Sequence, residues 1–543
     1  MNLGFDAPGF WPPAWLPDAF VSPQGIDTLR WASAGYATAS TDDPASTVYQ
    51  PRLTGDVEIS QSALDALGIG GKLTVGLSTI GLDDADAALR DLHRYGLADG
   101  RGLRIRRVPV VDARASDVGT PLAGKVLGMR LDLSAGTATI TRTDPVLAFS
   151  GLTRGVDRGA GRTGTLVGVD VLERLAVPLQ PTKYAGTGGI EGGDELKDRP
   201  KPVLLGRCGN VTPNFLGNID LGAGSLPTYQ VSWRQVFSID AVRIRGVEQA
   251  LVSSGTPTVG QARPWEALGM FQLGSTPDGI VTADVRGDAD GGYVSSTAGV
   301  LRRLINALGP GVGALEIDGS SFAFAEADIP GEIGWYSGGQ EITASDAAST
   351  IVQASGAVLC GGRSGAIRLF DPIASDATDQ FDIKAGWVLD CRPVSLPASL
   401  RSLSTSVGVN WRPNWTPMTD VAGSVPAADR ERLKNRASGP ERINSVTLTQ
   451  RLAPQRDMLL PGLFWSQADA STRAQAWARW LEAGPRIFEI TTDRYLGQIE
   501  CGHVGRVSYD LWEMGGGVRG VVVGWREQLG AQRLTITIAT QGA

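Results

Sequence analysis

The chain has 543 residues, enough for roughly three or four domains that each bury a core. A hydrophobic fraction of 42% and a charged fraction of 20% are those of a folded globular chain and exclude disorder as the default. The net charge of −7 argues against nucleic acid as the main partner, which calls for a basic surface.

Glycine is over-represented, at 71 residues with no collagen-like period, and most glycines separate short apolar runs as turn and bulge residues. Only seven of the 50 basic residues are lysine, a bias that reads as GC-rich coding and not as phosphate binding. No run of about 18 apolar residues occurs, so no membrane span is expected. The first residues, MNLGFDAPGFWPPAWLPDAF, lack a basic n-region and do not read as a signal peptide. They form an aromatic, proline-stiffened arm over 1–24. It is expected to pack on a neighbouring domain or subunit, or to strap its own domain.

From 25 to 183 the pattern predicts a first β-rich domain. Strands are expected at Trp31–Thr38, Asp56–Ser60, Lys72–Leu77, Leu103–Val111, Lys125–Leu133 and Thr137–Arg142. Asp83–Tyr95 has helical spacing and carries His93 at a surface or boundary position. Gly164–Val177 reads as a strand running into a short apolar turn or helix.

A connector and β domain follow over 184–275. The glycine- and charge-rich stretch 184–202 leads it, with strands at Val203–Leu205, Thr228–Phe237 and Ala241–Val247. Residues 276–386 read as an α+β unit with a helix over Ser296–Leu308, whose Leu301, Leu304, Ile305 and Leu308 form one stripe. A second helix, Thr343–Ala354, is capped by Thr343 or Ser345 and leads into the hairpin VLCGGRSGAIRLFDP.

Residues 387–543 form the last β-rich domain. Strands at Ser402–Trp411 and Ser445–Leu452 flank a helix at Ala427–Asn435. The clearest helix spans 466–483. Ser466 and Asp469 resemble a capping box, and Ala470, Ala474, Trp477 and Leu481 share a face. Strands Ile487–Thr491, Val507–Trp512, Val518–Trp525 and Leu534–Ala539 close the chain as a meander. The fold class is mainly β with a few short helices, in several domains.

No Walker motif, GxGxxG after a strand, HExxH or GxSxG is present. The carboxylates of Asp284-Val-Arg-Gly-Asp288-Ala-Asp290 lack the closing glutamate of a calcium loop and read as a solvated turn. Glu191/Asp194/Glu195 and Asp83/Asp84/Asp86 are the local carboxylate clusters a glycosidase would draw on. Both sit in polar stretches that would not push two pKa values apart. Cys501-Gly-His503 is the only Cys/His proximity, without a third partner in sequence. Cys208, Cys360, Cys391 and Cys501 contain no CxxC and read as buried, reduced thiols. Convergence of all four in space would open an iron–sulfur site. The 14 tryptophans are scattered and read as packing residues. No residue is assigned to catalysis, and none to a cofactor or metal.

The segment Tyr184–Asn210, YAGTGGIEGGDELKDRPKPVLLGRCGN, resembles a stretch of the tail-tip and baseplate hub proteins of long-tailed bacteriophages and of phage-derived gene transfer agents. Lys197, Pro200, Lys201, Pro202, Gly206 and Asn210 carry the match. Asp198 stands where those proteins usually have glycine. The lead-in FSGLTRGVDRGAGRTGTLVGVDVLERLAVPL, the earlier YQPRL, the unit TASDAASTIVQASGAVLCGGRSGAIRLFDP and the C-terminal order of helix, YLGQIECGHVGRV and strands are also similar.

The resemblance implies a homotrimer whose subunits each supply two tube-type β-barrel domains. These would adapt a six-fold tail tube or distal tail protein to a three-fold central fibre or tip protein. A tape-measure protein is a possible further partner. DNA would pass through without specific binding, aided by an acidic lumen. The implied location is the tail tip of a virion assembled in the bacterial cytoplasm. Two other readings stay open: a tail-associated cell-wall hydrolase using Glu191 or Glu195, and a host-receptor or carbohydrate-binding tip protein.

Overall fold

The protein is described from a computed structural model. It covers residues 2–8, 28–32, 36–37, 40, 45–46, 48–67, 70–90, 93, 102–108, 146–159, 161–309, 315–374, 378–397, 405–451, 457–494, 496, 499–510, 514–531 and 533–540. The fold is mainly β with a few helices, built from several sheets. No helix of the described residues is long and apolar enough to cross a membrane.

The first sheet has nine strands. Their order is Tyr36–Ala37, Val48–Pro51, Thr28–Ala32, Asn2–Pro8, Gly102–Val108, Val146–Arg158, Thr163–Val169, Ile80–Asp83 and Leu53–Thr54. The N-terminal strand is therefore an inner strand, antiparallel to both of its neighbours. The expected strand at Trp31–Thr38 is two short strands. Lys72–Leu77 also divides, because Gly71–Leu73 and Gly76–Leu77 pair with different sheets. Asp83–Tyr95 begins as the end of a strand and continues through turns, with helical backbone at 90 and 93 among the described residues. The strands expected at Lys125–Leu133 and Thr137–Arg142 lie outside the described residues.

The second sheet also has nine strands. Val203–Val211 lies between Val281–Gly287 and Gly334–Ser337, and the hairpin Asn214–Asp220/Ser225–Gln230 forms the far edge. Val203–Val211 is buried on both faces except at Arg207, which is why VLLGRCGNV shows no apolar–polar alternation. The expected strand Thr228–Phe237 is broken. The chain leaves the sheet after Gln230, where the N–H groups of Val231 and Ser232 both donate to the Gly269 carbonyl.

A closing sheet orders Phe381–Ile383, Val504–Val507, Val518–Gln528, Arg533–Thr540, Arg486–Thr492 and Val388–Val394. The last three strands of the chain form the meander, and Arg486–Thr492 lies on the far side of Arg533–Thr540. The strand expected at Val507–Trp512 ends at Val507. Glu58–Ser62, from the start of the chain, pairs antiparallel with Val518–Gln528.

Helices fill the space between the sheets. Thr297–Ala307 is N-capped by Ser296, and Ala344–Ser355 by Thr343 in a full capping box with Asp346. Gln467–Glu482 is capped by Ser466, while the Asp469 carboxylate accepts from the Glu332 N–H and so does not close the box. Ala470, Ala474, Trp477 and Leu481 are buried as their spacing predicts. Ser445–Leu452 is a correction: Val446–Arg451 is helical, and the strand is Glu441–Asn444 just before it.

Candidate functional site

The Tyr184–Asn210 segment doubles back on itself. The Tyr184 N–H donates to the Arg199 carbonyl, the Asp198 N–H to the Tyr184 carbonyl, and the Lys201 N–H to the Thr182 carbonyl, each at 3.0 Å. Gly186 and Gly192 have φ of +70° and +65°, and a Cβ on either would collide with Lys197 or Leu196. The segment is thus a closed clip and not a loose linker.

Side chains lock it. The Tyr184 ring is buried, and its hydroxyl donates to Gln230 Oε1 at 2.5 Å, which ties the clip to the second sheet. Lys201 Nζ lies 5.4 Å from that ring centroid and donates to Glu191 Oε1 at 2.7 Å. The Lys201 ammonium and the Ala185 N–H hold the Glu191 carboxyl below its ordinary range.

The rest of the motif enters the second sheet. Gly206 has φ +64°, and a Cβ there would lie 2.1 Å from the Ile333 carbonyl oxygen, so only glycine fits. Asn210 is buried at φ +54°, and its N–H donates to Asp284 Oδ1 at 2.8 Å. Its side-chain amide donates to Asn414 Oδ1 at 2.8 Å and to the Thr416 carbonyl at 2.6 Å. Asn414 in turn donates to the carbonyls of Leu433 and Asn435. Asn210 thereby joins the second sheet to the 414–435 segment.

The other residues singled out in the sequence have defined places. In the 284–290 stretch, Asp284 makes a buried bidentate pair with Arg243 at 2.8 and 2.7 Å. Asp288 lies 3.0 Å from Arg303 and 3.4 Å from Arg234, and Asp290 pairs with Arg234. These carboxylates hold guanidinium groups. Asp86 is bound by Arg52, whose hydrogen bonds hold it far below the carboxylate range. Buried Asp84 accepts from the Leu89 N–H at 2.9 Å. His93 places Nδ1 3.0 Å from the Val156 carbonyl.

The four cysteines do not converge. Cys360 and Cys501 lie in the largest core, Cys208 in the core of the second sheet and Cys391 in that of the closing sheet. Burial pushes the Cys208, Cys360 and Cys501 thiols well up, so they stay protonated. Among the described residues no group of three His, Cys, Asp or Glu side chains is arranged to hold a metal.

Sequence reasoning missed the buried arginines. Arg473, on the helix Gln467–Glu482, makes a bidentate pair with Asp371 at 2.6 and 2.9 Å, and its Nε donates to the Ser355 carbonyl at 2.7 Å. Arg363, in the hairpin turn 361–366, binds Glu527, donates from Nε to the Ile499 carbonyl and lies 3.6 Å over the Trp525 ring. Arg207 and Arg412 both stack on Trp465, at 4.3 and 4.9 Å. The only signal in the sequence was the arginine excess itself.

No protein-family model matches the chain, and no curated protein matches its sequence. Among solved structures, 92% of the chain is similar to 95% of the prophage MuSo2 43 kDa tail protein from Shewanella oneidensis, at 9% identity and a TM-score of 0.36. A similarity covering 89% of the chain and 91% of the other relates it to the tail protein from Neisseria meningitidis MC58, at 8% identity and a TM-score of 0.35. A chain of the native gene transfer agent virion is similar over 69% of this chain and 91% of its own length, at 13% identity and a TM-score of 0.34. These TM-scores lie below the level at which two chains share a fold.

Proposed function

We propose that the chain is the structural hub of a phage-like tail tip or baseplate, a trimer that adapts a six-fold tail tube to a three-fold tip and lines the DNA channel. The observation that carries this reading is the Tyr184–Asn210 clip. The residues that match tail hubs in sequence act here through architecture: Lys201 locks the clip, Gly206 admits a neighbouring strand and Asn210 joins two parts of the molecule. The role is read as structural: Glu191, one of the two carboxylates on which a hydrolase would draw, is held by Lys201. In this reading 25–183 and 387–543 are the tube-type units, 184–275 and 276–386 lie between them, and 1–24 is an arm whose residues 2–8 strap its own domain as an inner strand of the first sheet. The distal tail protein or tube, the fibre and the tape-measure protein are the expected partners.

The purified chain is expected to sediment at three times the 57.1 kDa of one copy, and particles lacking it are expected to lack complete tails. A chain that stays monomeric at high concentration, with complete tails formed in its absence, overturns the proposal.

A further inference from the structure

A cleft of about 130 Å³ opens where the helix Gly319–Asp328, the strand Ile367–Phe370 and the turn at 502–504 meet. It lies away from the Tyr184–Asn210 clip. Ser320, Phe324 and Asp328 line it from one face of the helix, at i, i+4 and i+8. Phe324 is 56% exposed, whereas Phe322 on the opposite face is fully buried. A bare phenyl ring therefore sits beside polar walls formed by Arg368, Gln380 and His503.

The bonds these polar groups already make define what they still offer. The Glu500 N–H donates to His503 Nδ1 at 3.3 Å, so the neutral ring carries its proton on Nε2. Burial lowers His503 to about 4, which keeps the ring neutral at pH 7. The Val504 N–H donates to Gln380 Oε1 at 3.0 Å, which fixes the amide and leaves its NH2 as a donor. Arg368 is paired with Asp318, and its Nε–H is buried without a partner. Asp371, also a lining residue, is committed to Arg473. The cleft thus presents N–H donors without a free positive charge, with the Asp328 carboxylate on its helix wall, next to an aromatic face.

We propose that this cleft binds one neutral sugar residue of a glycan. The polarised C–H face of the sugar stacks on Phe324, whose ring face is electron-rich. The sugar oxygens accept hydrogen bonds from His503 Nε2 and the Gln380 amide. A nucleotide would also stack, but it brings phosphate. Asp318 already neutralises the one arginine among the lining residues, and the chain as a whole is acidic.

The test is saturation-transfer NMR on the full chain with glucose, galactose and N-acetylglucosamine at millimolar concentration. Transfer to sugar ring C–H protons is expected for the unmodified chain and for Phe237→Ala, a control at an exposed phenylalanine elsewhere. Phe324→Ala is expected to weaken the Kd roughly tenfold with unchanged melting, since its side chain is exposed, and Gln380→Ala to weaken the Kd together with a lower Tm, since it also removes the acceptor of the buried Val504 N–H. The proposal is overturned by no transfer from any of the three sugars, by an unchanged Kd in both variants, or by tighter binding of glucose 6-phosphate than of glucose.

Discussion

Asp198 holds φ +64°, the left-handed region that glycine enters without steric cost, at the position where the tail hubs it resembles usually carry glycine. The departure from the motif is therefore local backbone strain and leaves the clip's hydrogen bonds in place. Asp198→Gly is expected to stabilise the protein by about 0.5–1 kcal/mol, part of the relief being lost to the greater freedom of glycine in the unfolded chain. Thermal melting checks this, and an unchanged or lower Tm rejects it. The motif was legible because some of its residues are fixed by their own backbone conformation, as at Gly206 and Asn210. The partners that give them a role, Ile333, Asn414 and Thr416, come from distant segments and leave no mark in the local pattern.

At the scale of the elements, capped helices were readable and strands with divided loyalties were not. Thr343 and Ser466 announce their helices because an N-cap is a local device. The helix Gly319–Asp328 was missed, since its apolar face is short and Phe324 points to solvent. Val446–Arg451 carries three β-branched residues, Val446, Thr447 and Thr449, yet is helical, its first turn anchored by the Thr449 N–H donating to the Ser445 carbonyl. Arg473 shows why packing outweighs pattern. Its place at i+3 from Ala470 and i−4 from Trp477 sets it beside the apolar face, and it is buried against Asp371 and the end of the helix Ala344–Ser355. Removing one partner leaves a buried charge, so Arg473→Ala is expected to cost roughly 3–5 kcal/mol. Replacing Asp371 and Arg473 together by apolar residues of similar size is expected to cost less than the single change. Denaturant midpoints of the two variants decide it, and a single change costing under about 1 kcal/mol would remove the pair as an anchor.

Across the whole molecule the hairpin turn 361–366 is a junction. The Ser150 N–H of the first sheet donates to the Arg363 carbonyl at 2.7 Å, Gln61 Nε2 to the Gly361 carbonyl at 3.0 Å, and Arg363 itself binds Glu527 of the closing sheet. Glu500 sits beside it and accepts from the Arg363 N–H at 2.7 Å. Burial raises its pKa, against the pull of Arg363. A raised carboxyl contributes stability that is complete below its unfolded value and is lost as pH climbs through the folded value. His503 has the opposite sign, contributing above about 6.5 and losing that contribution as pH falls through about 4. Glu500→Gln keeps the acceptor and removes the charge. The gain in Tm over the unmodified protein is expected to be larger at pH 8 than at pH 5, and an equal gain at both values rejects the assignment. The pairing of Glu58–Ser62 with Val518–Gln528 adds a constraint in time. Gln528 donates to Glu58 at 3.0 Å across 470 residues of chain. At roughly 5–20 residues per second, the ribosome takes about 25–95 s to supply the second strand after the first has emerged. Until then Glu58–Ser62 is an unsatisfied edge, so the closing sheet forms only once translation reaches its last strands, and a prematurely terminated chain is left marked by an open seam.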